Sequence, residues 1–279
     1  PAMSPTGNPF ADRFGPAGTR RFDAVPGGGL LLPLRVMPYF HVLADEPESL
    51  PAYADSLGKR VNEEAQLSWT RLGSDRAFEM CATHEGDVRA VLLGYDEPDR
   101  FVSSSPALFA EALLELDLLL EVLGAAETPG DASEAFRTTQ DTLSAADPRA
   151  FDDPENWWPL VLEDIRTTAS VEAYATFEFA APDGEKHLVT EAGGLCVHPE
   201  QRAWSKMYEA GIEPEQVTRI HTELEACFMP GHYCSMWLEL MFPHASLSHN
   251  VSYGETATER AEGVRQLREA TRRQAPGAG

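Results

Sequence analysis

The sequence predicts two domains: an α+β domain, then an α/β domain whose mixed central sheet is flanked by helices. Three observations carry this. The 279 residues exceed one average domain. Between residues 67 and 102, short apolar runs separated by turn residues lead into a leucine-rich helix, the order of an antiparallel sheet and the helix that covers it. From residue 171 a hairpin is followed by alternating helix and strand, which builds an α/β layer. With 43% hydrophobic and 9% aromatic residues, both parts can bury a core.

Residues 1–28 are rich in Pro, Gly and Ala and lack apolar periodicity. A flexible arm is expected, with 1–19 outside the first domain and 20–169 within it. Residues 29–44 crowd apolar side chains around Pro33 and Pro38, which limit any helix, so short strands or an irregular buried segment are expected. Strands are predicted around Leu67–Leu72, Ala77–Ala82, Val88–Leu93 and Phe101–Val102, with Cys81 as a buried core thiol. Ser105 as N-cap and Pro106 at the first helical position start a helix whose leucine stripe ends near Gly124. Residues 125–153, polar and acidic with Pro and Gly, predict a loop or short helices. Pro154–Ile165 reads as a helix with Trp157, Leu160, Val161 and Ile165 on one side.

The second domain is placed at 170–279. Val171–Ala181 and His187–Glu191 predict a hairpin, Pro199–Ala210 a helix, Val217–Leu224 a strand, Ser235–Phe242 a helix, Ala245–Val251 a strand and Glu255–Ala270 a final helix.

The net charge is −23 and the pI near 4.6, with the acidic excess concentrated before residue 170. Such a surface disfavours broad binding to polyanions, double-stranded DNA above all. Four cysteines are too few for a disulfide scaffold in a chain this long and suit a reducing compartment. No apolar run approaches the roughly 20 residues of a membrane span, and Val25-Pro-Gly-Gly-Gly makes a poor signal-peptide core. A cytoplasmic location without membrane association is expected.

The stretch with chemistry runs from Ile220 to Ser235, where Cys227 and Cys234 flank a Pro230-Gly231 turn directly after a strand. Seven residues of straight helix would separate the cysteines by roughly 10.5 Å. Two thiolates on one zinc ion lie within about 4 Å of each other. The turn resolves this: Cys227 ends a loop and Cys234 starts a helix, where thiolate is favoured. Two buried thiols, or a disulfide across the turn, are the competing readings. Upstream, His198-Pro199-Glu200 opens a helix, with His198 at the N-cap and Glu200 in the first turn. Taken alone this is also an ordinary helix start with a surface histidine. A second His-x-Glu, His221-Thr222-Glu223, falls on a strand and reads as a surface pair. Together, one imidazole, two thiols and a nearby carboxylate are what a zinc-activated water requires. Cys196 reads as structural.

Two resemblances follow from these residues. Thr70-Arg-Leu-Gly-Ser-Asp75, the strand pair around Gly86-Asp-Val, and Phe101-Val-Ser-Ser-Ser-Pro-Ala-Leu-Phe109 resemble the SUKH superfamily over residues 20–125. That implies an α+β protein-binding module of the bacterial immunity type, without chemistry of its own. His198-x-Glu200, a strand, then Thr222-Glu-Leu-Glu-Ala-Cys227 and Cys234 resemble the zinc-dependent cytidine-deaminase superfamily, in particular the deaminase domains of bacterial polymorphic-toxin systems, over residues 170–270. Two departures from its pattern stand out: Ala226 where the family carries proline, and Cys-x6-Cys where it carries Cys-x-x-Cys.

The resemblance implies Zn²⁺ held by His198, Cys227 and Cys234, and Glu200 as the proton-transferring residue. The implied substrate is a cytosine- or adenine-type base in a nucleoside, nucleotide or single-stranded nucleic acid. Phe177, Ala226, His249 and Tyr253 are candidates for contacting it, and a protein partner is expected at the first domain. The alternative is a non-enzymatic immunity or interaction protein that keeps a structural zinc.

Overall fold

The computed structural model describes residues 9–25 and 27–274. The chain divides into two units, Pro1–Val161 and Leu162–Gly279.

In the first unit, α1 (Pro9–Phe14) precedes a hairpin of β1 (Thr19–Phe22) and β2 (Leu30–Pro33). A six-stranded antiparallel sheet follows in sequence order: β3 (Arg35–Val36), β4 (Phe40–His41), β5 (Thr70–Ser74), β6 (Glu79–Ala82), β7 (Val88–Val91) and β8 (Arg100–Ser103). A helix, α2 (Leu50–Ser56), lies in sequence between β4 and β5. The next helix, α3 (Pro106–Ala125), starts as the sequence predicts, with Leu108 N–H donating to Ser105 Oγ at 3.2 Å. Its Phe109, Leu113 and Leu116 are fully buried, and Phe109 meets Phe40 edge-on at 5.5 Å. Cys81 is in the core, as expected.

Two segments differ from expectation. The acidic stretch expected as a loop or short helices is largely one helix, α4 (Pro129–Ala146). Thr128 Oγ1 accepts from Asp131 N–H at 3.2 Å and Pro129 takes the first helical position, so its start is well capped. Leu143 is the buried residue of α4, which leaves almost no apolar stripe to read. The expected arm over 1–19 is folded from Pro9 onward; its first eight residues lie outside the described ones. Phe10 is buried there, and Arg13 pairs with Asp117 at 2.6 Å and Glu121 at 2.5 Å on α3.

The Thr70–Asp75 motif has a physical account. Arg71 is buried, paired with Glu79 at 2.6 Å and Glu46 at 2.8 Å, and lies over the Tyr53 ring at 3.6 Å. A Cβ at Gly73 would stand 2.5 Å from the Phe40 ring, so only glycine admits that approach. Asp75, fully buried, accepts from Trp157 Nε1–H at 2.8 Å and Phe78 N–H at 2.9 Å. Asp75→Ala strands both donors in the interior. We expect it to destabilise the first unit by about 3 kcal/mol in urea unfolding followed by tryptophan fluorescence. A change below about 1 kcal/mol would contradict this role.

The division between the units falls inside α5 (Trp157–Ser170), and the expected boundary stood at 169/170. From Leu162 onward this helix belongs to the second unit. There follow β9 (Tyr174–Ala180), β10 (Lys186–Ala192), α6 (Pro199–Glu209), β11 (Val217–Leu224), α7 (Cys234–Met241), β12 (Ser246–Val251) and α8 (Ala257–Gln274). The strand order is β10-β9-β11-β12; β9 is antiparallel to both neighbours and β12 parallel to β11, giving the mixed sheet expected. The parallel pair needs a crossover, which α7 supplies. Arg260 on α8 grips Glu163 with Nε and a terminal nitrogen at 3.0 and 3.1 Å, tying α8 to α5. Among the described residues no helix is long and apolar enough to cross a membrane.

Candidate metal centre

His198 is the N-cap of α6, with extended backbone, and Pro199 occupies the first helical position. The turn leading to it holds Cys196 at φ 52°, its N–H donating to Thr168 Oγ1 at 3.1 Å, a structural role. Cys227 follows β11 and Cys234 opens α7. Between them the loop folds back on itself: the N–H groups of His232 and Tyr233 both donate to the Met229 carbonyl, at 3.1 and 3.0 Å. Gly231 sits at φ 77°, the left-handed conformation that glycine adopts without strain. Ser235 closes the loop, its N–H and Oγ donating to the Cys227 carbonyl at 3.0 and 3.1 Å.

This geometry brings the two sulfurs to one atom. Cys227 Sγ is 3.3 Å and Cys234 Sγ 3.4 Å from His198 Nδ1, and all three donor atoms lie within 4.8 Å of one another. Zinc bonds of about 2.3 Å to sulfur and 2.0 Å to nitrogen, at tetrahedral angles, set an N···S separation of about 3.5 Å. The donor set fits such an ion in both spacing and chemistry. The cysteines are free thiols rather than a disulfide across the turn.

Burial disfavours charge on every member of this cluster. For Cys227 the hydrogen bond with Cys234 and the charge of His198 outweigh burial and hold its pKa well below the usual thiol range. Burial and the neighbouring Cys227 thiolate push Cys234 well above that range. His198 is desolvated as well, yet the Cys227 thiolate and the Asp164 carboxylate hold its pKa well above the ordinary imidazole value.

Two carboxylates adjoin the cluster. Glu200, in the first turn of α6, is 3% exposed and its Oε2 has no hydrogen-bond partner. Burial pushes its pKa up to about 7, with His198 pulling the other way. Asp164, on α5, faces the opposite edge of the imidazole: His198 Nε2 is 2.8 Å from Oδ1, and His232 Nε2 is 3.0 Å from Oδ2. The two imidazole rings stack at 3.9 Å and 10°. Burial alone would raise the Asp164 pKa, but the charges of His232 and His198 hold it far below the usual carboxylate range.

Two family models match this chain. The SUKH-4 immunity protein model covers residues 39–164, and the Xanthomonas-like deaminase model covers residues 170–270. The chain joins a SUKH domain to a deaminase-family domain. No curated protein and no solved structure matches it.

In the deaminase domain a cavity opens beside the cluster, lined among others by Thr168, Tyr174, Gly193, Glu200, Glu225 and Tyr253. The residues that line it include no lysine or arginine. Four residues were expected to contact a substrate, and they separate here. Tyr253 lines the cavity, its N–H donating to Glu225 Oε2 at 2.9 Å, beside Gly263, where a Cβ would stand 2.3 Å from the Ser252 carbonyl. Phe177 does not reach the cavity; it is fully buried on the sheet, edge-on to Phe242 at 5.7 Å. His249 is exposed on β12 near Ser252, away from the cavity lining. Ala226 lies between Glu225 and Cys227, which both line the cavity, but does not line it itself. The second His-x-Glu is a strand pairing: His221 Nδ1 is 3.0 Å from Ser248 Oγ, and Glu223 accepts from Tyr174 N–H at 3.0 Å.

Sequence reasoning missed Asp164 as a site residue and gave His232 no definite role. One signal for Asp164 was present. Positions 160, 161 and 165 form the apolar side of α5, and an acid at 164 falls on that same side.

Proposed function

We propose that the C-terminal domain is a zinc-dependent hydrolytic deaminase of a cytosine- or adenine-type base, and that the SUKH domain is a protein-binding or regulatory module. The observation that carries this reading is Glu200, a buried carboxyl with an unpartnered oxygen lining the cavity beside the His198–Cys227–Cys234 cluster. A purely structural zinc site has no use for such a group.

His198, Cys227 and Cys234 would hold the ion through Nδ1 and two sulfurs, leaving a fourth position open. When bound, zinc supplies an activated water at neutral pH. The net reaction adds water at the carbon that bears the amino group, breaks the C–N bond and releases ammonia, leaving a carbonyl. Glu200 takes the two protons of the attacking water in turn, passing one to the ring nitrogen and the other to the amine, which departs as ammonia. Its burial lets one carboxyl serve both as base and as acid near neutrality. Tyr253 and the Gly193 region wall the ring, and a lining without lysine or arginine suits an uncharged base. A base must leave its stack to reach Glu200, which favours a free nucleoside, nucleotide or single strand over duplex DNA.

The test is ammonia release by the zinc-loaded full chain from a panel of nucleosides, nucleotides and single-stranded oligonucleotides. Deamination of at least one member is expected. A zinc-loaded protein inert toward the whole panel would favour a non-enzymatic interaction protein with a structural zinc.

A further inference from the structure

The arrangement that the proposed chemistry leaves unexplained is the buried triad of Asp164, His198 and His232. We propose that Asp164 is a positioning residue: one carboxylate on α5 fixes the ring of His198 so that Nδ1, and not Nε2, faces the two cysteine sulfurs. The inference rests on the reading of His198, Cys227 and Cys234 as zinc ligands.

The geometry is specific. The two Asp164 oxygens are each committed to a different imidazole, Oδ1 to His198 Nε2 at 2.8 Å and Oδ2 to His232 Nε2 at 3.0 Å. A carboxylate only accepts, so His198 carries a hydrogen on Nε2, and Nδ1, on giving up its own proton, is the nitrogen offered to a metal. His232 braces the ring from the side. It stacks on His198 at 3.9 Å and is itself pinned by Asp164 and by Gln201 Oε1, 3.0 Å from its Nδ1. The three side chains are almost wholly enclosed, with exposures of 2% for Asp164, 13% for His198 and 0% for His232. Burial at this level leaves solvent little access to replace a lost hydrogen bond.

Asp164, His198 and His232 also have donor atoms close enough to be considered a metal site of their own. The carboxylate lies 2.8 Å from the His198 nitrogen and 3.0 Å from that of His232, closer than the about 3.3 Å that two tetrahedral ligands of one ion keep. The histidine shared with the cysteines presents its other nitrogen to them. One site with an outer support accounts for all five side chains.

The support comes from a helix remote in sequence, Asp164 lying 34 positions before His198. Rotating the His198 ring by half a turn about its Cβ–Cγ bond would turn Cδ2 toward the sulfurs and Cε1 toward Asp164, losing the bond to Asp164 and the nitrogen offered to the sulfurs together. The clamp selects against that state.

The experiment measures zinc affinity by chelator competition on the full chain, for wild type, Asp164→Asn and Asp164→Ala. It is joined by imidazole nitrogen NMR on the zinc-loaded wild type. We expect the zinc Kd to rise 10- to 100-fold in Asp164→Ala. In Asp164→Asn, whose amide still offers one acceptor, the rise should be smaller. The NMR spectrum should show His198 with its hydrogen on Nε2 and the metal on Nδ1. Wild-type affinity in both variants, or His198 bound through Nε2, would overturn the clamp. A wild type that binds no zinc would instead overturn the metal reading itself. Because the NMR readout uses the unaltered protein, the inference stays testable even if Asp164→Ala does not fold.

Discussion

Glu200→Gln lowers deamination by at least 100-fold, and by as much as about 10,000-fold, while zinc content and thermal stability stay near those of wild type. The amide keeps the size of the side chain but cannot take a proton from water. Glu200 bonds to none of the three ligands, and its Oε2 is unpartnered, so the substitution removes no hydrogen bond at that atom. Burial makes the carboxyl costly to ionise, with a pKa near 7, and a neutral amide in the same place relieves that cost. The variant should therefore fold at least as well as wild type. Single-turnover assays on the substrate found in the panel, with metal analysis on the same preparations, measure both halves of the expectation. Turnover within tenfold of wild type would remove Glu200 from the chemistry.

Cys234→Ala, the second large effect, abolishes stoichiometric zinc binding and destabilises the deaminase domain. Cys234 is fully buried at the start of α7 and Cys227 almost so, and the loop between them closes through Ser235 onto the Cys227 carbonyl. An ion shared by both sulfurs and His198 would staple that loop to the start of α6. With free zinc about 1,000-fold above Kd, its loss costs roughly 4 kcal/mol of stability. Wild type treated with a strong chelator should show the same loss, and Cys234→Ala should show no further response to chelator. If chelator leaves the melting temperature of wild type unchanged, the cluster is not a metal site. Cys81→Ala serves as the comparison, because it lies in the other unit's core and should affect stability without affecting zinc.

Much of this site was legible because its chemistry is local. His198-Pro199-Glu200 reads as a helix start, and the Cys227–Cys234 spacing excludes a single regular helix, so a turn at Pro230-Gly231 was required and is present. The strands and helices of both units were legible where capping residues and apolar periodicity coincide, as at Ser105-Pro106. What was not legible depends on the tertiary fold. Asp164 meets His198 and His232 only once α5 packs beside the start of α6. Phe177 illustrates a different failure: a strand's period of two says that two faces exist, not which one borders a cavity. The α4 helix escaped because it carries a good cap and packs on α3 with almost no apolar stripe to read. The start of the expected arm was missed because one buried ring at Phe10 and one ion-paired arginine at Arg13 suffice to hold it.

The most direct test of the central claim is a single titration on the full chain: zinc per chain and ammonia release, measured as purified, after chelation and after zinc is restored. The account predicts one zinc per chain, with activity lost on chelation and regained on re-addition in wild type but absent throughout in Glu200→Gln. A metal-free protein with a Cys227–Cys234 disulfide, or activity indifferent to chelation, would contradict it.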